Sequence, residues 1–329
     1  MSIAGPRLGV HLAHRRGLLA AADRAAEIGA ETIQVFVDNP AAWRRRMEPP
    51  KALPDFRDRL ASASIAPIAV HAAYLVNLAG SDERFHRQSI DVLANELRAG
   101  AGYGARFVNA HVGSHLGSGP DRAVEQVVDA VAATLAATGD LRDRPMLVLE
   151  NSAGGGNGFG TTVEELSAIF DALRARGIPD AAVGLCLDTA HLWAAGYELD
   201  DASAVDALFE SVEASIGVDR LVMIHLNDSK SERGSRSDRH EHIGGGRIGA
   251  VGLGNVLRHP SVRHVAAYLE TPGMDEGYDA INLARARALL AGDDLRDPVQ
   301  PRAVRTNRHD RRVVLVELVP VERDPFPVR

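Results

Sequence analysis

Eight short apolar runs punctuate the chain. Each is followed by a stretch in which apolar residues recur with the period of a helix. The runs are Leu8–His11, Thr32–Val37, Ile68–His71, Phe107–His111, Met146–Glu150, Val183–Asp188, Leu221–His225 and His264–Glu270. Their length and their Val, Ile and Leu content suit buried strands. Between them, Val124, Val127, Val128, Val131 and Leu135 share one helical face, as do Leu166, Ile169, Phe170 and Leu173, and Val205, Leu208, Phe209 and Val212. Ser81-Asp82-Glu83 and Thr161-Thr162-Val163-Glu164 read as helix starts, the second with capping-box spacing. Eight strand–helix units in about 290 residues predict an α/β fold, a (β/α)8 TIM barrel with an appended C-terminal tail. An open doubly wound sheet is the rival. Such a sheet carries a Gly-rich phosphate turn after its first strand, and Gly9-Val10-His11-Leu12 offers none.

The pattern breaks near Gly292. From Asp293 to Arg329 the chain is rich in Arg, Asp and Pro, with one β-prone run at Val313–Val319. The expected organisation is a barrel over residues 1–292 and a mostly irregular extension over 293–329, its charges solvated. With 329 residues, 45% of them hydrophobic, the chain can bury a substantial core. The single cysteine, Cys186, excludes an intrachain disulfide framework and reads as a reduced, buried thiol. Without an apolar leader or an apolar stretch near the roughly 18 residues of a spanning helix, the expectation is a soluble, cytoplasmic protein with no membrane partner. A formal charge of −7 argues against general polyanion binding. It does not exclude a locally positive groove, because metal ions add charge that residue counts omit.

Candidate chemistry gathers at the ends of the runs. His71, His111, Glu150, Asp188, His225 and Glu270 each close one, unit by unit from the third through the eighth. In a barrel these ends converge on one rim, where active sites sit. His191 follows Asp188 by three residues, and a Gly- and Ser-rich loop after Leu221–His225 carries Asp238 and His240. Imidazole nitrogens and carboxylate oxygens are the ligands zinc prefers. One histidine at a strand end is ordinarily structural; metal-type residues at six successive ends are not a chance pattern. His11 ends the first run and either lines the pocket or packs. His115 and His242 lie near the rim and at most support ligands. His14, His86, His259, His264 and His309 read as surface or packing residues. Gly154-Gly155-Gly156 and Gly244-Gly245-Gly246 read as rim loops, since neither fits a phosphate-binding loop.

From Leu8 to Ala291 the chain resembles the endonuclease IV family of apurinic/apyrimidinic (AP) endonucleases. The carrying motifs are His71-Ala72-Ala73-Tyr74-Leu75-Val76-Asn77-Leu78, Asn109-Ala110-His111-Val112-Gly113-Ser114-His115-Leu116 and Leu149-Glu150-Asn151-Ser152-Ala153-Gly154. To these add Cys186-Leu187-Asp188-Thr189-Ala190-His191, the stretch from Leu221 through Asp238-Arg239-His240, and Leu269-Glu270-Thr271. The resemblance implies a barrel with three zinc ions that cuts double-stranded DNA 5′ to abasic sites. The products would carry a 3′-hydroxyl and a 5′-deoxyribose phosphate, and blocked 3′ ends would be trimmed. It assigns His71 and His111 to a first zinc, Asp188, His225 and Glu270 to a second, and Glu150 to both. His191, Asp238 and His240 would hold the third. Glu150, Asp188 and Glu270 would carry the chemistry, in a monomer.

The resemblance also places DNA contacts at Trp43, Arg44 and Tyr74. Two departures stand out: Val112 where the family usually has Pro, and Ala41-Ala42 where it usually has bulkier polar residues. Two alanines are too short to fill a base-sized void, so a weaker grip on abasic duplex is expected. Arg44-Arg45-Arg46 either hold phosphates or open a solvated helix. The main rival function is a divalent-metal sugar isomerase or epimerase, which has no need of a third site at His191, Asp238 and His240. A non-enzymatic binding protein would favour a closed four-ligand zinc site instead.

Overall fold

A computed structural model describes residues 5–13, 16–46 and 48–295. Among them the eight runs form a closed barrel with parallel pairing throughout. The strands are β1 (Arg7–His11), β2 (Thr32–Val35), β3 (Ile68–His71), β4 (Phe107–His111), β5 (Met146–Glu150), β6 (Val183–Asp188), β7 (Leu221–His225), β8 (Asp228–Ser229), β9 (His240–Glu241) and β10 (Ala266–Leu269). β10 closes the barrel by pairing with β7 and β1, while β8 and β9 form a small antiparallel ribbon in the long loop after β7. The helices are α1 (Leu18–Glu27), α2 (Leu53–Ser62), α3 (Glu83–Tyr103), α4 (Pro120–Ala137), α5 (Val163–Ala175), α6 (Thr189–Ala195), α7 (Ala202–Ser215), α8 (Gly249–Arg258) and α9 (Tyr278–Ala291). None of the described helices is long and apolar enough to cross a membrane. By contacts the chain divides at Pro298, and the described residues belong to the first part, Met1–Pro298; the second is Val299–Arg329. The second, with the run Val313–Val319, lies outside the described residues, as do His14 and His309.

Strand alternation sorts the side chains into two cores. Val10, Val35, Val70, Val108, Leu149, Leu187, Ile224 and Leu269 point outward and pack under the helices. Their neighbours Ala69, Phe107, Val148, Cys186, Met223, Ala266 and Tyr268 form a separate cluster that plugs the barrel. Two residues beyond Ala69, Val148, Cys186, Met223 and Tyr268 stand His71, Glu150, Asp188, His225 and Glu270, on the same inward face. An apolar plug therefore underlies a polar layer, and period-two geometry assembles that layer from these five strands. Cys186 is a free, buried thiol, as expected.

Helix starts follow local chemistry with one shift. Asp82 caps α3 by accepting from the backbone N–H groups of Arg84 and Phe85, each at 3.0 Å. The cap of α5 is Thr162 rather than Thr161: its hydroxyl accepts from Glu165 N at 3.3 Å, while the Glu165 carboxylate accepts from Thr161 N at 2.8 Å. Two strand expectations were too long. β2 ends at Val35, and β10 starts at Ala266, leaving His264 exposed in the preceding turn and Glu270 one residue past the strand.

Candidate metal centre

His71, His111, Glu150, Asp188 and His225 are the last residues of five successive strands, and Glu270 directly follows β10. In register, His111 lies beside Glu150 and Asp188 beside His225. His71, His111 and Glu270 line a cavity of about 560 Å³ together with His191, Asp238 and His240, while Glu150, Asp188 and His225 are fully buried. His191 arrives on α6. The Asp188 carboxylate caps that helix, accepting from Ala190 N at 2.6 Å and His191 N at 3.0 Å. Asp238 and His240 arrive on the loop after β7. That loop is anchored by buried Asp228, which accepts from the backbone N–H groups of Ser229, Gly246, Ile248 and Gly249. A Cβ at Gly246 would meet Asp228 Oδ1 at 2.5 Å, so this close approach requires glycine. All nine expected ligand positions are thus brought to one rim.

Five overlapping groups have candidate ligand atoms within 4.8 Å of one another; beside His71, His225 and Glu270, and Glu150, Cys186 and His225, they include three that together hold eight of the nine expected ligands: His71, His111 and Glu150; Glu150, Asp188, His225 and Glu270; and Asp188, His191 and His240. Glu150 spans the first two of these three. One of its oxygens lies 3.3 Å from His111 Nε2 and 3.6 Å from His71 Nε2, and the other 3.0 Å from His225 Nδ1. Asp238 joins the third group, 3.2 Å from His191 Nε2 and 3.0 Å from His240 Nε2.

These separations test whether the residues suit a metal. Two ligands about 2.1 Å from a common tetrahedral ion stand about 3.4 Å apart, and the contacts of 3.0–3.6 Å fall around that edge. The ion pairs that Glu150, Asp188, Asp238 and Glu270 make among the described residues are with histidine. Carboxylates whose only ion-pair partners are titratable histidines form a site for cations. His240 Nε2 is buried without a hydrogen bond, with Asp238 Oδ1 3.0 Å away. On three rings the other nitrogen, Nδ1, is tied down. His71 Nδ1 donates to Ala72 O at 2.7 Å, His191 Nδ1 to Asn151 O at 2.9 Å and His240 Nδ1 to Glu270 O at 2.9 Å. Each ring therefore offers Nε2 as its bare nitrogen. The donor set fits a multinuclear site for a borderline metal.

Electrostatics agree. Burial would raise these carboxyls and lower these imidazoles. Against it, His225 and His111 hold Glu150 well below the usual carboxylate range. Likewise against burial, His225 and His11 hold Glu270 low, and His191 and His240 hold Asp238 low. In return, burial is outweighed at His225, pushed up to about 9 by Glu150 and Glu270, and at His240, pushed up to about 10 by Asp188 and Asp238. At His111 burial wins and the ring is lowered. Without a metal, protons on histidine balance the carboxylates.

Of the expected DNA contacts, Tyr74 is 63% exposed, lines the cavity and meets Phe36 edge-on at 5.2 Å. Trp43 is half-buried and stacks on Phe85 at 6.1 Å, and Arg44 is exposed; neither lines the cavity. Arg45 does not join a phosphate-holding triplet. Its guanidinium is buried 3.2 Å from Glu96 and also donates to the carbonyls of Asn39 and Ala42. Nor do Arg44–Arg46 open a helix, since α2 starts at Leu53. Val112 is fully buried, its carbonyl accepting from Ala79 N at 3.1 Å.

Sequence reasoning missed a shell of amides. Asn109 donates to the Glu150 carboxylate at 2.5 Å. Asn227 donates to Asp188 Oδ2 at 2.6 Å and accepts from Glu270 N at 2.8 Å. Gln34 is fully buried on β2 and reaches both Glu270 and His225. Each lies in or two residues from a strand end on an inward position, a signal that period-two counting detects. His11, left open by the sequence, lines the cavity with Nδ1 2.8 Å from Glu270. His115 accepts from Gly117 N and Gly119 N and orders its own loop. His242 stacks on Tyr278 at 4.3 Å.

Residues 22–292 match the family described as xylose isomerase-like TIM barrel. A protein of Methanoculleus marisnigri named probable endonuclease 4 is 38% identical over 282 residues, which is 86% of this chain and 98% of the relative. The crystal structure of endonuclease IV from Thermus thermophilus superposes with a TM-score of 0.75 at 34% identity, covering 87% of this chain and all of that one. A D-tagatose 3-epimerase-like protein superposes at a TM-score of 0.63 with 16% identity over 86% of this chain and 96% of that one, a likeness of fold.

Proposed function

Because the chain belongs to the endonuclease IV family of xylose isomerase-like TIM barrels, we propose that it is a zinc-dependent DNA repair endonuclease. It hydrolyses the phosphodiester 5′ to abasic sites in double-stranded DNA, leaves a 3′-hydroxyl and a 5′-deoxyribose phosphate, and trims blocked 3′ ends. It works as a cytoplasmic monomer, with the activity in residues 1–292 and residues 293–329 an appendage. The observation that carries this reading is the trio of overlapping donor groups joined through Glu150 and Asp188. A sugar isomerase would leave the group at His191, Asp238 and His240 without a role.

In this reading His71 and His111 hold one zinc, Asp188, His225 and Glu270 a second, and Glu150 both, while His191, Asp238 and His240 hold a third. Bound there, the ions supply Lewis acidity, polarising phosphoryl oxygens and making water nucleophilic at neutral pH. The protein's task is to keep the ligands from moving. Glu150 turns its two oxygens toward different histidines, and Asn109 locks that rotamer. Asn227 ties Asp188 to the backbone of Glu270, so the β6 and β10 ligands keep one spacing. Preorganisation of this kind removes the reorganisation cost that charge development would otherwise meet. Phe36 and Tyr74 form an aromatic wall over His71 and shelter one side of the cavity from water. Ala41 and Ala42 supply no wedge, so Tyr74 bears most of the work of holding an extruded sugar.

The test is incision of a duplex oligonucleotide carrying one tetrahydrofuran abasic analogue. The reading expects a single cut 5′ to the lesion and a product that a polymerase extends directly. A cut on the 3′ side, or a product that cannot be extended, contradicts it.

A further inference from the structure

Gln34 lies on β2, which contributes none of the nine candidate ligands, yet its side chain is fully buried in the polar layer. Its amide is held from two sides. Nε2 lies 2.7 Å from Glu270 Oε1 and 3.1 Å from His11 Nδ1, and Oε1 lies 3.1 Å from His225 Nε2. The orientation is chemically forced. A carboxylate only accepts, so the amide nitrogen must face Glu270 and the amide oxygen must face His225. That oxygen in turn needs a donor, so His225 must carry its proton on Nε2. The nitrogen left to His225 is Nδ1, and it faces Glu150 Oε1 at 3.0 Å, Glu270 Oε2 at 3.3 Å and Asp188 Oδ2 at 3.9 Å. His225 therefore differs from His71, His191 and His240, whose Nδ1 protons are taken by main-chain carbonyls and which offer Nε2.

We propose that Gln34 is a positioning residue for the second metal site: it keeps the proton of His225 on Nε2, so that Nδ1 is offered to the ion, and it fixes the Glu270 carboxylate at the same time. The inference rests on the metal-centre reading above and deepens it. A backbone carbonyl does this for the other three rings. Around His225 the main chain belongs to the barrel ladder, where Tyr268 pairs with His225 and Asp188 lies on its other side. A side chain from across the barrel supplies the acceptor instead. One amide also couples two ligands from different strands, so losing it should affect one ion and leave the ions held by the other rings.

The experiment uses the full chain, labelled with 15N-histidine and loaded with zinc. Long-range 1H–15N spectra of the wild type are expected to show one zinc-bound histidine coordinated through Nδ1 with a protonated Nε2, and this pattern should vanish in His225→Ala. Gln34→Met removes the amide's hydrogen bonds to Glu270, His225 and His11 at nearly constant volume. It is expected to lose that signature and to release about one zinc equivalent to a chelator at 10- to 100-fold lower chelator concentration, the usual cost of losing such an outer partner. Gln34→Glu keeps an acceptor for the Nε2 proton and is expected to keep the signature. If His225 in the wild type binds zinc through Nε2, or if folded Gln34→Met keeps both the signature and its chelator resistance, the inference is overturned. The wild-type spectrum decides the matter even if Gln34→Met fails to fold. If the wild type binds no zinc, the metal-centre reading itself falls, which separates that failure from failure of the role given to Gln34.

Discussion

Removing metal and raising the pH should soften the fold by an amount that the histidines set. In the metal-free protein burial opposes charge on the rings, yet the carboxylates push His225 up to about 9 and His240 up to about 10. Both lie above the roughly 6.5 of an unfolded chain. A raised folded-state pKa gives stability that is fully present below about 6.5 and is lost as pH rises through about 9 to 10. At pH 7 this amounts to about 3 kcal/mol for His225 and about 4 kcal/mol for His240, from the ratio of proton binding in the two states. Both rings lean on Asp188 and Glu270, so the contributions overlap and the pair is worth about 4 kcal/mol together. With an unfolding entropy of about 2.1 cal/mol/K per residue, a unit of this size loses about 0.6 kcal/mol per degree. Chelator-treated protein should therefore lose about 6 °C of Tm between pH 7 and pH 10 beyond whatever the zinc-loaded protein loses. In the loaded protein the same rings are neutral ligands and do not feel the pH step. The assay is paired thermal melts followed by circular dichroism from pH 6.5 to 10. Parallel Tm curves with and without zinc would refute the charge balance described here.

Three further outcomes follow from the same geometry. Glu150→Gln should leave the barrel folded by circular dichroism but lower incision of the tetrahydrofuran duplex by about 10³ or more, since one neutral oxygen cannot serve two cations; near-normal cleavage by the folded variant would sink the bridging role. Asp238→Asn with His240→Ala should lower zinc content by about one equivalent and reduce kcat more than KM, because the lost ion chiefly stabilises the transition state; unchanged zinc content would make this only a polar loop. Ending the chain at Gly292 should preserve zinc content and abasic cleavage, whereas aggregation or loss of metal would show that residues 293–329 belong to the barrel.

How much was legible beforehand follows from which signals are periodic. The barrel was readable because each apolar run is a strand, and six candidate ligands stood out because they close the third through the eighth runs, whereas His191, Asp238 and His240 were found by their spacing after the sixth and seventh. What two-residue periodicity cannot show is the partner of a buried polar group. Gln34 sits between Ile33 and Val35 with nothing local to indicate that it meets residues 191 and 236 positions away. Asn109 and Asn227 were equally silent, since their partners lie on neighbouring strands. The arginines after the second strand read as phosphate holders or a solvated helix start, but Arg45 turns inward to Glu96 on α3, a contact fixed by tertiary packing. Strand ends drifted by one or two residues at β2 and β10, where the apolar run continues past the hydrogen-bonded ladder. The cap of α5 moved by one because Thr161 and Thr162 both stand at capping distance from a glutamate.

The central claim is that these rim residues hold a cluster of three zinc ions and that the cluster does the cutting. The most direct measurement counts zinc per chain after exhaustive dialysis and follows incision as zinc is returned to chelator-treated protein. The account predicts about three equivalents, with incision absent from the stripped protein and reaching its maximum only as the last equivalent binds. One or two equivalents of manganese or magnesium in place of zinc, or full incision by the stripped protein, would contradict it.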